Sequence, residues 1–303
     1  MPLAAFVINP AMVGDPRRFV RQCRAAARAS GWEPLFEQAS TGPGSLPLAR
    51  RAVGAGARLV VAAGGDGTVR ACAQVLAGTG LPLAIVPLGT ANLTARALGI
   101  PAREQAAIEV ALRGTDRRID LARAEGVSAD GTGADGEGMW FAAMAGIGLD
   151  AAVVSGASDP AKRRLGWLAY AASGAAHLWL PPRDFTLRLD GGQPVSLPAR
   201  CVVAGNAGLL PGGFTLLPDA SLDDGLLDVG VLAPSGALGW PRVAALVLTR
   251  SRRQDRQLGR FQARRVEISA AADLPRQVDG ELIAPGPTLA VSVRPAALTV
   301  RVV

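Results

Sequence analysis

Residues 64–68 read Gly-Gly-Asp-Gly-Thr, directly after the apolar run Leu-Val-Val-Ala-Ala at 59–63. Glycines at the carboxyl end of a buried strand let backbone N–H groups come close to a phosphate. A helix opening near Thr68 would aim its positive end at the same point. Asp66 is the odd member, because a carboxylate repels phosphate unless a cation lies between them. The combination suits a nucleotide with Mg2+ held by Asp66, directly or through water; magnesium keeps several waters, so a single carboxylate suffices. A tight turn that merely caps a helix would carry the same letters. The stretch is neither a P-loop pattern nor a Gly-x-Gly-x-x-Gly fingerprint, which excludes both of those phosphate sites as written.

A second stretch repeats the device. Ala-Ile-Val-Pro-Leu-Gly-Thr-Ala-Asn at 84–92 is an apolar strand, then Gly89, then Thr90 and Asn92 opening a helix. Two such turns after neighbouring strands would converge on one ligand. Further along, Asp279-Gly280-Glu281 is a turn bearing two carboxylates, which also reads as a solvated hairpin. Asp223, Asp224 and Asp228 lie in Leu-Asp-Asp-Gly-Leu-Leu-Asp, again compatible with an Asp-Gly hairpin. His177 is the only histidine, which removes Ser-His-Asp and Cys-His catalysis. Cys23, Cys72 and Cys201 lie far apart with no Cys-x-x-Cys, arguing against a disulfide framework or a zinc site.

Taken in order, GGDGTV at 64–69, PLGTANLTARALGIP at 87–101, FAAMAGIGLDAAVV at 141–154, PGGFTLLPDASLDDGLLDVGVL at 211–232 and VDGE at 278–281 resemble the diacylglycerol kinase catalytic-domain family. These are lipid kinases that include sphingosine kinase-like enzymes, and the resemblance spans nearly the whole chain. It implies ATP-dependent transfer of the γ-phosphoryl group to a lipid hydroxyl, with diacylglycerol as default acceptor and phosphatidic acid as product. Gly64, Gly65, Asp66, Gly67, Thr68, Val69, Arg70, Thr90 and Asn92 match the family's nucleotide-binding turns, joined by Asn9 and by Thr41 in the loop STGPG. At 9–18 the chain has NPAMVGDPRR where many relatives have a basic residue after an NP-x-SG pattern, with Arg17 or Arg18 as substitutes. The resemblance makes Glu281 the general base, with Asp279 close by, and Asp66 the group that acts with Mg2+. It gives Asp224 and the backbones of Leu227 and Val229 to a structural divalent ion, Mg2+ or Ca2+. Two other readings stay open: a soluble-substrate kinase of the NAD kinase type, and a homologue that binds lipid or nucleotide without turnover.

These residues need a scaffold. The 303 residues suggest about two domains. A strand at 4–10 is followed by a helix at 15–31, with Asp15 as cap, Pro16 at its first position and Gly31 at its end. Helix 49–59 leads into strand 58–63; helix 68–78, strand 81–89, a helix from Thr90 and a helix-strand pair over 104–125 follow. Such alternation indicates a parallel α/β layer through residue 120. Afterwards short β-like runs dominate, at 139–146, 185–191, 198–206, 227–234, 264–270, 289–295 and 298–303, with a polar turn at 126–138 and helical patterns at 160–180 and 236–259. The expected fold is thus an α/β N-terminal domain with a parallel sheet, Rossmann-like in the NAD kinase and lipid kinase manner, plus a C-terminal all-β sandwich with added helices. The boundaries fall at 1–120 and 121–295, with the strand 296–303 returning to the first domain.

Lysine and arginine number 32 against 25 acids, a net +7 with pI near 10.7, and only Lys162 is a lysine. That balance favours anionic partners or is simply a solvated basic surface. No nucleic-acid reading motif accompanies it, so nucleic acid is not expected as a partner. The N-terminus has no signal-peptide pattern. Residues 165–180, with Trp167, Tyr170 and Trp179, would cover roughly 24 Å as a helix, short of a ~30 Å hydrocarbon core. The expectation is a cytoplasmic protein, peripheral to the inner membrane face, that meets its lipid at the surface. The segments 165–180 and 235–265 pair aromatics with cations as interfacial anchors do, and equally as core helices with basic ends do. A homodimer stays open.

Overall fold

The computed structural model describes residues 1–38, 44–125, 138–148, 181–210 and 213–303. Thr41, most of the 126–138 turn, and the segment 165–180 with His177 lie outside the described residues. The chain divides into two units, Met1–Leu121 with Ala296–Val303, and Ala122–Pro295.

In the first unit, strands β1 (Leu3–Ile8), β2 (Glu33–Gln38), β3 (Leu59–Gly64) and β4 (Pro82–Pro87) lie in the order β2-β1-β3-β4, all parallel. The sheet is extended beyond β4 by the end of β14 (Glu281–Val302), where Thr299 and Val300 face Pro82 and Leu83 in parallel register. β3 is buried along its whole length, and β1 and β4 nearly so. Uninterrupted apolar strands of this kind belong to a parallel sheet covered by helices. The helices are α1 (Pro16–Ala29), α2 (Ser45–Gly54), α3 (Asp66–Leu76), α4 (Leu93–Ala97) and α5 (Glu104–Arg113). α1 packs on β2 and α5, and α5 on β4; α2 packs on α3 and β1. Asp15 caps α1 by accepting the Arg18 N–H at 3.0 Å, and Gly31 leaves it at φ +80°.

Three details depart from the sequence reading. β2 was not expected: its Glu-Pro-Leu-Phe-Glu-Gln lies at the sheet edge, where proline is tolerated, and Phe36 stacks on Phe6 at 5.2 Å. α2 begins at Ser45 and is over by Gly54. α3 begins at Asp66, not Thr68, because extended Gly65 caps it and an acid suits the first turn.

The second unit is antiparallel. β7 (Met144–Gly148), β10 (Cys201–Gly205), β11 (Leu227–Leu232) and β12 (Leu258–Ala263) run in the order β12-β11-β10-β7, and β7 pairs with β13 (Arg265–Val278). β13 pairs β7 through Arg276–Val278 but β8 (Arg183–Leu189) through Val266–Ala270, its register shifting between Ser269 and Arg276. One strand therefore serves both layers of a β sandwich. β9 (Val195–Ala199) pairs β8, and β6 (Met139–Phe141) pairs β5 (Thr115–Glu125). The core between them includes Phe141, Ile147, Phe185, Val202, Val229, Ile268 and Val291, all buried.

The helical pattern expected over 236–259 is α6 (Gly236–Leu248) alone; Arg250, at φ +51°, turns the chain out, and β12 follows. Among the described residues no helix is long and apolar enough to cross a membrane.

Candidate active site

The carboxyl ends of β1, β3 and β4 place Asn9, Gly65-Asp66 and Gly89-Thr90 at one edge of the sheet, since Ile8 is in register with Ala63 and Gly64 with Pro87. In a sheet ordered 2-1-3-4 the connections diverge between β1 and β3, and ligands of open α/β sheets bind outside such a point. The two glycine turns touch there. A Cβ on Gly89 would lie 2.6 Å from the Gly65 Cα and 2.9 Å from Asn92 Oδ1. A Cβ on Gly64 would lie 2.3 Å from Thr68 Oγ1. Glycine is required at both positions by space, and the contact leaves two backbones side by side next to the start of α3.

Asp66 is half-buried beside this contact. Burial pushes its carboxyl above the ordinary aspartate range, and the N–H groups of Leu93, Thr94 and Asn92 pull it back in part. Its buried Oδ1 makes no hydrogen bond. An orphaned carboxylate oxygen against a backbone cradle fits a hard cation bridging to phosphate.

The other residues expected in the nucleotide turns divide by what they touch. Thr90 and Gly67 are exposed, whereas Thr68, Val69 and Arg70 are buried. Thr68 Oγ1 accepts the Ser45 hydroxyl at 3.3 Å, tying α3 to the first turn of α2. Ser45 was not singled out by sequence, because a serine opening a helix is too common to stand out. Asn92 adopts the left-handed conformation at φ +47°, and its side chain is closed on Gly89: Nδ2 donates to the Gly89 carbonyl at 2.6 Å and Oδ1 accepts the Gly89 N–H at 3.0 Å. It shapes the turn. Asn9 Oδ1 accepts the Ala11 N–H at 3.2 Å and starts a short 3-10 turn over Pro10–Met12.

In the second unit, Asp279 and Gly280 form the two-residue turn joining β13 to β14, with Val278 opposite Glu281. Both turn residues have positive φ, +48° and +76°, as a type I′ hairpin demands. Asp279 is buried and accepts three backbone N–H groups, from Ala142 at 3.2 Å and from Ala143 and Met144 at 3.0 Å each. Its own N–H donates to the Met144 carbonyl at 2.8 Å. It is a clamp on the turn between β6 and β7, whereas Glu281 at the next strand's start is exposed.

Comparison with known proteins shows the family. Residues 4–124 match the model of the diacylglycerol kinase catalytic domain, and residues 143–302 that of the YegS C-terminal NAD kinase beta sandwich-like domain. A probable lipid kinase YegS-like of Pseudomonas savastanoi pv. phaseolicola is 33% identical over 93% of this chain and 88% of its own length. The chain belongs to the YegS-like lipid kinases. A diacylglycerol kinase of Mycobacterium tuberculosis is 31% identical over 84% of this chain and 79% of its own. A solved structure of a putative diacylglycerol kinase from Bacillus anthracis superposes with a TM-score of 0.79 at 20% identity, covering 99% of this chain and 95% of that one, which establishes the shared fold. As a member of this kinase family the chain uses ATP.

A structural ion was expected at Asp224 and the backbones of Leu227 and Val229. Asp224 is exposed, and its Oδ1 accepts the Leu226 N–H at 3.0 Å. Leu227 and Val229 are buried in β11, where Val229 faces Ala204 on one side and Phe261 on the other. Between them Asp228 is buried, its carboxyl pushed up to about 6 by burial and by the charges of Asp224 and Asp219, while the Gln262 amide at 3.3 Å opposes the shift. Among the described residues no group of three histidine, cysteine or acidic side chains could hold a metal.

Proposed function

We propose that this lipid kinase transfers the γ-phosphoryl group of ATP to a hydroxyl of a membrane lipid, with diacylglycerol as the default acceptor and phosphatidic acid as product. The observation that supports it most is the contact of the two glycine turns at Gly65 and Gly89 with the orphaned Asp66 Oδ1 beside it. Phosphoryl transfer is mostly positioning and charge neutralisation. The amides at Gly65 and the start of α3 seat the phosphates, whose charge the N-terminus of α3 faces, while the Gly89 N–H is held by Asn92 Oδ1. Asp66 would hold Mg2+, which supplies the positive charge that lets a carboxylate stand among phosphates. Glu281 is exposed and takes the proton of the acceptor hydroxyl. Asp279 acts through the backbone, holding the turn that precedes Glu281. The protein meets its lipid as a peripheral protein at the membrane surface.

The test is label transfer from ATP with Mg2+ to a lipid panel in mixed micelles. Wild type runs beside Asp66→Ala and Glu281→Ala, with NAD+ and no lipid as control. The expected result is label in one lipid, reduced by roughly 10²–10⁴ without the Glu281 base and abolished without Asp66. Label in NAD+ alone would overturn the lipid acceptor, and undiminished transfer in Glu281→Ala would overturn its role.

A further inference from the structure

α6 is apolar on two sides. Val243 is buried, and Leu246 and Val247 pack toward the cluster of Val203, Leu216, Leu217 and Leu258. Pro241, Ala244, Ala245 and Leu248 recur at helical spacing on the opposite side and are exposed, Leu248 at 65%. A surface helix ordinarily turns polar residues to water, and an exposed apolar face marks a contact site. Beside it lies an apolar cavity of about 710 Å³ lined by Leu210, Phe214, Leu216, Trp240, Val247 and Leu248. Phe214, on its wall, is 38% exposed.

The chain that leaves α6 is cationic. Residues 250–256 read Arg-Ser-Arg-Arg-Gln-Asp-Arg, and all four arginines are exposed. The nearby acids are already engaged: Asp219 with Arg252 at 3.0 Å, and Asp255 with Arg242 at 2.6 Å. Arg250, Arg253 and Arg256 therefore leave a positive excess next to the apolar stripe. An apolar helix face with an arginine rim is complementary to the two layers of an anionic bilayer surface, acyl chains within and charged head groups above. Face-to-face pairing with a second copy would instead set two arginine clusters together.

We infer that α6, the Phe214 loop and the arginines of 250–256 form a docking face for an anionic phospholipid bilayer, with one acyl chain entering the cavity beside Trp240. The choice of a lipid surface rests on the proposed lipid acceptor; the shape and charge of the face do not.

The experiment uses vesicles of phosphatidylcholine with and without phosphatidylglycerol, at physiological ionic strength and without ATP. Wild type is expected to sediment with the anionic vesicles only. Leu248→Asp, at an exposed position that should leave the circular dichroism signal unchanged, should weaken binding about tenfold through loss of one inserted side chain. The combined Arg250→Glu, Arg253→Glu, Arg256→Glu variant should weaken it by about 100-fold or more. Brominated acyl chains should quench tryptophan fluorescence in wild type, and the quenched component should vanish in Trp240→Phe. Quenching that persists in Trp240→Phe, or binding unchanged in both Leu248→Asp and the arginine variant, would overturn the docking face. So would a lipid-free dimer that Leu248→Asp dissociates, which would assign the face to a second copy. If no lipid is phosphorylated anywhere while the vesicle pattern holds, the kinase reading falls and the docking face stands.

Discussion

A side-chain amide at position 279 would present Nδ2 to the Ala142 N–H that Oδ2 now accepts, while its oxygen could still serve Ala143 and Met144. One buried N–H would be left facing another donor, a loss of about 1–3 kcal/mol, and Asp279→Ala would leave all three unmet at roughly 3–5 kcal/mol. At Glu281 the reasoning reverses. Its exposed side chain permits Glu281→Gln to keep stability within about 0.5 kcal/mol, yet the amide cannot take a proton. Urea denaturation and turnover measured on Asp279→Asn and Glu281→Gln should therefore separate the pair, the first losing mainly stability and the second mainly rate. Equal stability losses in both would mean that Glu281 is also a structural acid. VDGE reads in sequence as two carboxylates with one glycine between them. Only the buried amides of Ala142–Met144, more than a hundred residues away, reveal that one of them is spent on the fold.

At the scale of elements, the two strand–turn–helix devices act as a single object because Gly65 and Gly89 have no side chains. Gly89→Ala would place its Cβ 2.6 Å from the Gly65 Cα and 2.9 Å from the Asn92 oxygen that accepts the Gly89 N–H. One turn would have to move, at about 1–3 kcal/mol of overpacking. ATP affinity should fall at least tenfold, as read by titration calorimetry, while Gly54→Ala, at the exposed end of α2 with open space at its Cβ, should stay near wild type. Equal binding by both variants would show that the contact does not shape the nucleotide site. The turns and their strands were legible from sequence because buried parallel strands are written as apolar runs ending in glycine. β2 and β12 were not. Each is a sheet edge with charged or polar residues in a short run, so neither alternation nor continuous apolarity marks it. The tie from Ser45 to Thr68 and the closure of Asn92 onto Gly89 were likewise hidden. Both depend on distances that only the folded backbone sets.

At the scale of the whole molecule, the last strand links the chain's end to the first unit, which carries the proposed nucleotide turns. β14 opens at Glu281 in the second unit, and the residues from Ala296 belong to the first. Ala296, at φ +51°, is where the path changes, and its N–H donates to buried Asp120 at 2.7 Å. Beyond it, the Ala297 carbonyl accepts the Gly78 N–H at 2.8 Å, Leu298 and Val300 are buried, and Arg301 meets Asp116 through Nε at 2.8 Å and Nη2 at 3.2 Å. Deleting 296–303 would expose β4 along its pairing edge and remove two buried aliphatic side chains at about 1.5–3 kcal/mol each. The sum approaches the ~5–15 kcal/mol by which a domain is stable at all. The truncated chain should therefore lose the cooperative melting of the first unit and bind ATP only weakly, although none of the deleted residues lies in a proposed nucleotide turn. Adding Mg2+ and ATP should restore part of the transition by mass action, since a ligand that binds only the folded state stabilises it. An unchanged melting temperature with full ATP affinity would show instead that the sheet of the first unit is complete at β4.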